Sequence, residues 1–330
     1  MNKMIVRVPL LLFLAVLLLL GWEKETFLYR LYSALVDDGI SINEQIADPI
    51  ELSSGYRVLW RGDIESAALK ESSGLAFSTR TEGLIWSIND SGSQPEIFAL
   101  SDSGADLGKW RLKGIEPNDW EGMDSFRLDD RHYLLIGDTG DNFRSRKEVS
   151  FLVLEEPLLD ESSRDITVSW QTSFRFPDGP KDVEAVAVNP REKLAIFLNK
   201  RELPLRLYSV PLLPVDGEIV AKKVAELVPV PRYRSDLDAL YGKTAKYLGL
   251  PTGMDLFEER LLVTTYRNAY LYDYGALDKP PKEIALPLSG QREAITFGFE
   301  SGEFAYVSHE RGKGTQVADI FEIRFSHQSN

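Results

Sequence analysis

The chain contains no cysteine. That excludes structural disulfides, a thiol nucleophile, cysteine–zinc sites and a lipidated N-terminal cysteine. It leaves the redox compartment open, because exported proteins also fold without disulfides. Histidine is scarce: His132, His309 and His327 lie far apart and match no zinc spacing, so each reads as a surface or packing side chain. Basic residues are outnumbered, 38 Lys and Arg against 51 Asp and Glu, for a formal charge of −13. Such a surface lacks the basic footprint that nucleic-acid binding requires and is compatible with divalent cations. There is no block of like charges and no low-complexity tract. No G-x-S-x-G elbow, Walker loop or H-E-x-x-H occurs. The Asp-Ser-Gly at 90–92 has no histidine near it in sequence, which argues against a serine nucleophile.

What is present is enough apolar material, 43% of 330 residues, for one large or two ordinary domains. The N-terminus sets Lys3 and Arg7 before the uncharged "VPLLLFLAVLLLLGW" at 8–22. Its length falls between a signal-peptide core and a full membrane span, and no A-x-A-like cleavage site follows. The expectation is an uncleaved signal anchor over 1–22 with Lys3 and Arg7 cytoplasmic. The protein is then single-pass in the cell membrane, with its body in the periplasm or outside the cell. A cleaved signal peptide would export the same body. Residues 23–55 read as a polar, partly helical spacer.

From residue 56 the pattern becomes β-rich, and a repeat emerges. "SSGLAFS", "WEGMDSF", "VEAVAVN", "PTGMDLF" and "REAITFG", starting at 72, 120, 183, 251 and 292, share a small residue followed by alternating apolar positions. Each is followed by a turn and a second strand: "LIWSIND", "YLLIGD", "LAIFLNK", "LLVTTYR" and "FAYVSHE". Further strands follow most of these hairpins, so the units look four-stranded. This predicts an all-β fold, a β-propeller of five blades, with a sixth possible in the long gap before the fourth hairpin. "YRVLWRGDI" (56–64) stands alone before the first unit and closes the last blade, which gives a propeller over 56–326. "RYRSDLDALYGKTAKYLGL" (232–250) reads as a helical insertion. Trp86, Trp110, Trp120 and Trp170 read as blade packing, with Trp120 the one able to reach the channel mouth.

In a hairpin, the residue before the first strand lies beside the residue after the second. Gly74 and Asp90 are sixteen positions apart, as are Gly122 and Asp138. The same register pairs Ser73 with Asp90, Glu121 with Asp138, Glu184 with Arg201 and Glu293 with Glu310, and in the fourth hairpin, whose turn is shorter by two, Thr252 falls beside Arg267, all at one rim of the channel. "GDTGDN" at 137–142 then has a counterpart in "NDSGS" at 89–93. Two of these pairs set acid against acid, which a divalent cation would compensate. Oxygen ligands without a His or Cys cluster indicate Ca²⁺ or Mg²⁺. The candidate metal ligands are Glu121, Asp138, Asp90 and Asn142. Arg201, Arg267, Glu184, Glu293 and Glu310 are the candidate ligand-binding residues. The two arginines either neutralise these carboxylates or grip an anionic ligand.

"ESSGLAFS…LIWSINDSG", "NDWEGMD…YLLIGDTGDNFRSR", "DVEAVAVNP", "PTGMD" and "REAITF" resemble a family of bacterial exported proteins with β-propeller domains. More distantly they are similar to phytase-like, SdiA-regulated and SMP-30-like propellers. The resemblance covers roughly 70–312 and implies acidic channel residues for Ca²⁺ and basic residues for phosphate; no enzyme motif carries over residue by residue. Three readings of function follow: a membrane-anchored module binding a cation and a polar or anionic ligand, a metal-dependent phosphoester or lactone hydrolase, or a scaffold docking an envelope protein.

Overall fold

A computed structural model describes residues 51–326 apart from 53–54, 91, 161–162, 203, 228–248, 288–290, 299–301 and 312–317. The expected anchor at 1–22, nearly all of the spacer at 23–55 and nearly all of the insertion at 232–250 lie outside the described residues. Among the described residues, no helix is long and apolar enough to cross a membrane.

Five sheets form a five-bladed β-propeller. β1 (Glu51–Leu52) and β2 (Tyr56–Asp63) belong to the last blade. The first blade is β3 (Ser72–Phe77), β4 (Leu84–Asn89), β5 (Glu96–Ser101) and β6 (Asp106–Leu112). The second is β7 (Trp120–Leu128), β8 (Arg131–Asp138), β9 (Val149–Glu155) and β11 (Trp170–Phe174), while β10 (Asp165–Ile166) runs parallel on the edge of β6. The third is β12 (Val183–Asn189), β13 (Leu194–Asn199), β14 (Leu205–Pro211) and β15 (Lys222–Leu227). The fourth is β16 (Pro251–Phe257), β17 (Arg260–Thr265), β18 (Ala269–Asp273) and β19 (Lys282–Ile284). The fifth is β20 (Arg292–Phe297), β21 (Phe304–His309) and β22 (Asp319–Phe325), completed by β2, whose Tyr56 pairs with Phe325 and Asp63 with Asp319.

The innermost strands β3, β7, β12, β16 and β20 pack side by side and close the ring. The apolar core is correspondingly five layers, one between each pair of adjacent blades. Trp86, Trp110 and Trp120 are buried together between the first two blades, Trp86 edge-on to Trp110 at 5.2 Å. Trp120 is therefore packing rather than part of the mouth. Two buried acids clasp neighbouring blades. Asp124 accepts from Val188 N at 2.6 Å, and Asp255 accepts from Phe297 N at 2.6 Å and Thr296 Oγ1 at 3.1 Å.

The small residue of the repeat has a packing cause. At Gly74 a Cβ would lie 2.8 Å from Met123 N, and at Gly122 it would lie 2.9 Å from Glu184 O, both backbone atoms of the next blade. Just below, Leu75, Met123, Val186, Met254 and Ile295 close the axis and leave a cavity of about 10 Å³, at the threshold for a single water.

The register departs from the expected pairing in one repeated feature. In all five inner hairpins the ladder skips a residue: Ser72 pairs with Asn89 and Gly74 with Ile88; Trp120 with Asp138 and Gly122 with Gly137; Val183 with Asn199 and Ala185 with Leu198; Pro251 with Thr265 and Gly253 with Thr264; Arg292 with His309 and Ala294 with Ser308. The skipped residues are Ser73, Glu121, Glu184, Thr252 and Glu293. Each is the extra residue of a β-bulge, which leaves the ladder and re-aims its side chain. Asp138 thus pairs with Trp120 and not Glu121. Arg201 and Arg267 lie two positions beyond the paired Asn199 and Thr265, and Asp90 and Glu310 lie one beyond Asn89 and His309.

Because the clash at Gly74 is with backbone, Gly74→Ala should cost about 1–3 kcal/mol of stability, the usual range for overpacking. Ala185→Gly, at the matching position of the third blade, should cost about 1–2 kcal/mol, from backbone entropy and the loss of a methyl buried in the core. Thermal melts of the two variants test these costs.

Candidate functional site

The bulge residues share the rim with the residues one position beyond each inner hairpin: Asp90, Thr139, Lys200, Tyr266 and Glu310. In four blades the N–H of this second position donates to the carbonyl just before the inner strand. These bonds are Asp90 to Glu71 at 3.1 Å, Thr139 to Asp119 at 3.1 Å, Lys200 to Asp182 at 2.9 Å and Glu310 to Gln291 at 2.9 Å. The fold therefore repeats one backbone frame around the axis and varies the side chains on it. Read by blade, bulge residue first, these are Ser73 and Asp90, Glu121 and Thr139, Glu184 and Lys200, Thr252 and Tyr266, and Glu293 and Glu310.

Asp90 and Glu121 come together with Asp119, which lies one residue before β7. One carboxylate oxygen from each lies within 4.8 Å of the others, the one such group of three among the described residues. Glu121 is 5% exposed, and neither its carboxylate nor that of Asp119 has a hydrogen bond or ion pair within the described residues. Gly140 abuts both, since a Cβ there would overlap Glu121 Oε1 and Asp119 Oδ2. A larger residue at the second glycine of "GDTGDN" would displace one of the two carboxylates beside it. The first, Gly137, has no room for a Cβ beside a Val186 methyl, 2.8 Å away.

The other predicted residues are placed differently. Asp138 accepts from Asn118 N at 3.0 Å, Asp119 N at 3.3 Å and Arg146 Nη2 at 2.7 Å. Asn142 accepts from Arg201, whose Nε donates to the buried Asp182. Glu184 is paired with Lys200, which also donates to Tyr266 Oη at 2.9 Å. Glu310 accepts from Gln291 Nε2 at 3.0 Å. Glu293 is 7% exposed, with no hydrogen bond or ion pair to its carboxylate within the described residues. Arg267 sits in the turn beyond Thr265, its N–H on Thr265 Oγ1 at 3.3 Å. His309 is buried with Nδ1 2.5 Å from Asp319.

Asp119, Lys200 and Tyr266 escape the sequence reading because each lies one or two positions from a residue that it selects. Anchoring each hairpin on its small residue and correcting for turn length would have pointed to Lys200 and Tyr266.

Packing so many carboxylates into one rim perturbs Asp119, Glu121, Glu184, Glu293 and Glu310. Burial, then Asp90, Asp182 and Glu184, push Asp119 up to about 8 against the pull of Arg146. Burial, then Asp90 and Glu71, push Glu310 up to about 8. Burial raises Glu184 to about 7, Asp182 adding to it and Lys200 opposing. Burial lifts Glu121 and Glu293 well above the carboxylate range, with Asp90 and Glu184 adding to both. Lys200 is drawn down by burial, yet Glu184 and its other acidic neighbours hold it well above its ordinary value. Among the described residues, the rim is an acidic cup whose buried ammonium is that of Lys200.

No protein-family model and no curated protein matches the chain. Solved structures to which the chain is similar include a gluconolactonase, XC5397 from Xanthomonas campestris (12% identity, TM-score 0.43, 86% of this chain and 99% of that one). A PQQ-bound aldose sugar dehydrogenase from Streptomyces coelicolor (11%, 0.42, 84% and 99%) and a luciferin-regenerating enzyme (9%, 0.42, 84% and 95%) are similar to the same extent.

The raised carboxyls give stability a defined pH dependence. Asp119, Glu184 and Glu310 hold protons when folded that they release when unfolded, so stability is greatest below their unfolded values near 4 and falls as pH rises toward 7 to 8. In buffer containing EDTA, Tm should fall from pH 5 to pH 8. A Tm flat or rising over that range would contradict this electrostatic picture.

Proposed function

We propose that the channel mouth binds a divalent cation, Ca²⁺ or Mg²⁺, between Asp90, Asp119 and Glu121, and with it a polar or anionic ligand. The observation that carries this reading is the buried Glu121 carboxylate, unpartnered, with oxygens of Asp90 and Asp119 within 4.8 Å of its own. A buried charge without a counter-ion is costly, and a hard cation with oxygen ligands supplies one. The absence of histidine and cysteine from this group argues against zinc. Arg201 uses Nε and one Nη on Asp182 and Asn142, which leaves its other Nη for an anionic oxygen of the ligand. The apolar stretch at 8–22 puts this module outside the cytoplasm on an N-terminal anchor in the same reading, with the membrane as its first partner.

One observation favours hydrolysis of a phosphoester or lactone as a second reading. Glu184, raised to about 7 and held by Lys200, is a carboxyl able to exchange a proton near neutral pH. The cation would supply Lewis acidity beside it. Glu184→Gln should then abolish turnover while leaving cation binding in place.

The test of the cation is thermal. At a cation concentration a hundred times Kd, binding adds about 2.7 kcal/mol to stability, which for a domain of this size raises Tm by about 5 °C. Near neutral pH, Asp119→Asn and Glu121→Gln should raise Tm in EDTA, because each removes a carboxyl whose ionised form the acidic rim disfavours, and should lose the cation-induced rise. No rise in the unmodified protein with millimolar Ca²⁺ or Mg²⁺ would end the proposal.

A further inference from the structure

We infer that Asp138 is a positioning residue for the cation site: it holds the backbone that presents Asp119 and does not itself ligate the ion. This rests on the cation reading above and assigns a role to the "GDTGDN" turn within it.

Asp138 ends β8, and both of its oxygens are engaged. Oδ2 accepts from Asn118 N at 3.0 Å; Oδ1 accepts from Asp119 N at 3.3 Å and Arg146 Nη2 at 2.7 Å. The two N–H donors belong to the residues immediately before β7, where the ladder has ended. On the other side of the same residue, the carbonyl of Asp119 accepts from Thr139 N at 3.1 Å and Gly140 N at 3.2 Å. Asp119 is thereby gripped at its N–H by the Asp138 side chain and at its C=O by the two residues after Asp138. Arg146 locks the arrangement by donating from Nη1 to Gly140 O at 2.8 Å while it holds Asp138. With its backbone held from both sides, Asp119 presents its carboxylate beside those of Asp90 and Glu121. Outer groups that orient a ligating carboxylate in this way typically contribute 10- to 100-fold to metal affinity.

The first blade contains an internal comparison. Asn89 occupies the position of Asp138, each paired with the residue before the bulge. Its Oδ1 accepts from Lys70 N at 2.8 Å and Glu71 N at 3.1 Å, and its Nδ2 donates to Ala68 O at 2.9 Å. An amide therefore performs the same clamp one blade away, without a carboxylate's charge. A positioning role needs only acceptors for the two N–H groups and tolerates that exchange, whereas a ligand that supplies negative charge to the cation is weakened by it.

The experiment is Ca²⁺ titration of the full chain by calorimetry, with the Ca²⁺-induced change in Tm as a second readout, on the unmodified protein and Asp138→Asn, Asp138→Ala and Asp119→Asn. Asp138→Asn should bind Ca²⁺ within a few-fold of the unmodified protein, and Asp138→Ala should bind about 10- to 100-fold more weakly. Asp119→Asn should lose binding, and adding Asp138→Ala to it should change Ca²⁺ response no further. If Asp138→Ala does not fold, as judged by circular dichroism, Asp138→Ser takes its place with the same expectation. Loss of binding in Asp138→Asn equal to that in Asp119→Asn would make Asp138 a ligand and overturn the inference, as would unchanged affinity in Asp138→Ala. Absence of any Ca²⁺ response in the unmodified protein would instead remove the cation reading on which it stands.

Discussion

The mouth of this propeller depends on one extra residue at the start of each inner strand. A regular ladder would have placed Glu121, Glu184 and Glu293 in register with a partner across the hairpin, their side chains set by the pleat. The bulge takes them out of the ladder and turns them toward the rim, five times around one axis. A bulge also bends and twists its strand, in keeping with inner strands that approach closely enough to demand Gly74, Gly122 and Gly253. The packing rule and the chemical rule of this fold therefore share an origin. The residue that leaves the ladder carries the chemistry, and the next one must be small.

Variation on this frame makes the ring unequal. The fifth, first, second and third blades contribute acids, and the fourth contributes Thr252 and Tyr266. Lys200 is the counter-charge held inside, bound to Glu184 and Tyr266. Its charge is felt at Glu121, Glu184, Glu293 and Glu310, where it pulls each carboxyl down. One ammonium does not balance that many carboxylates, and the imbalance is greatest around Asp90, which raises acids on both sides of it. Arg201 and Arg146 stand at the edge of the cup and are spent on Asp182, Asn142, Asp138 and Gly140 O. Through these bonds they shape the loops more than they neutralise the centre, and Arg201 keeps one Nη beyond them.

The hairpins and their number were legible because apolar alternation, turn residues and a recurring small residue all have the period of a blade. The bulge was not legible. An extra residue placed before "GLAF" or "GMDSF" leaves the alternation after it intact, so nothing in the apolar pattern records the skipped partner. That one-residue error carried the register to Glu121 opposite Asp138. In the third and fourth blades the hairpin turns differ in length as well, so it carried on to Arg201 and Arg267 and passed over Lys200 and Tyr266. Asp119 was hidden for another reason. It lies outside any strand, and only the fold shows that the residue before β7 folds back toward Glu121. The two glycines of "GDTGDN" read as turn residues, yet neither has a positive φ; Gly137 packs against a Val186 methyl and Gly140 against the two carboxylates.

The closing strand has a mechanical meaning. β2 joins β22 from Tyr56 at one end to Asp63 at the other, so the last blade is built from both ends of the described chain. Tyr56 and Val58 pack with Leu262, Ile284 and Phe321 in the layer between the fourth and fifth blades. Any tension transmitted through the chain upstream of residue 51 is borne first by the short β1 and then by this seam. A pull strong enough to strip β2 would leave β22 as an unpaired edge and loosen the blade that carries Glu293 and Glu310. A tether on that side therefore loads the latch of the ring, and the acidic cup keeps its shape only while the latch holds.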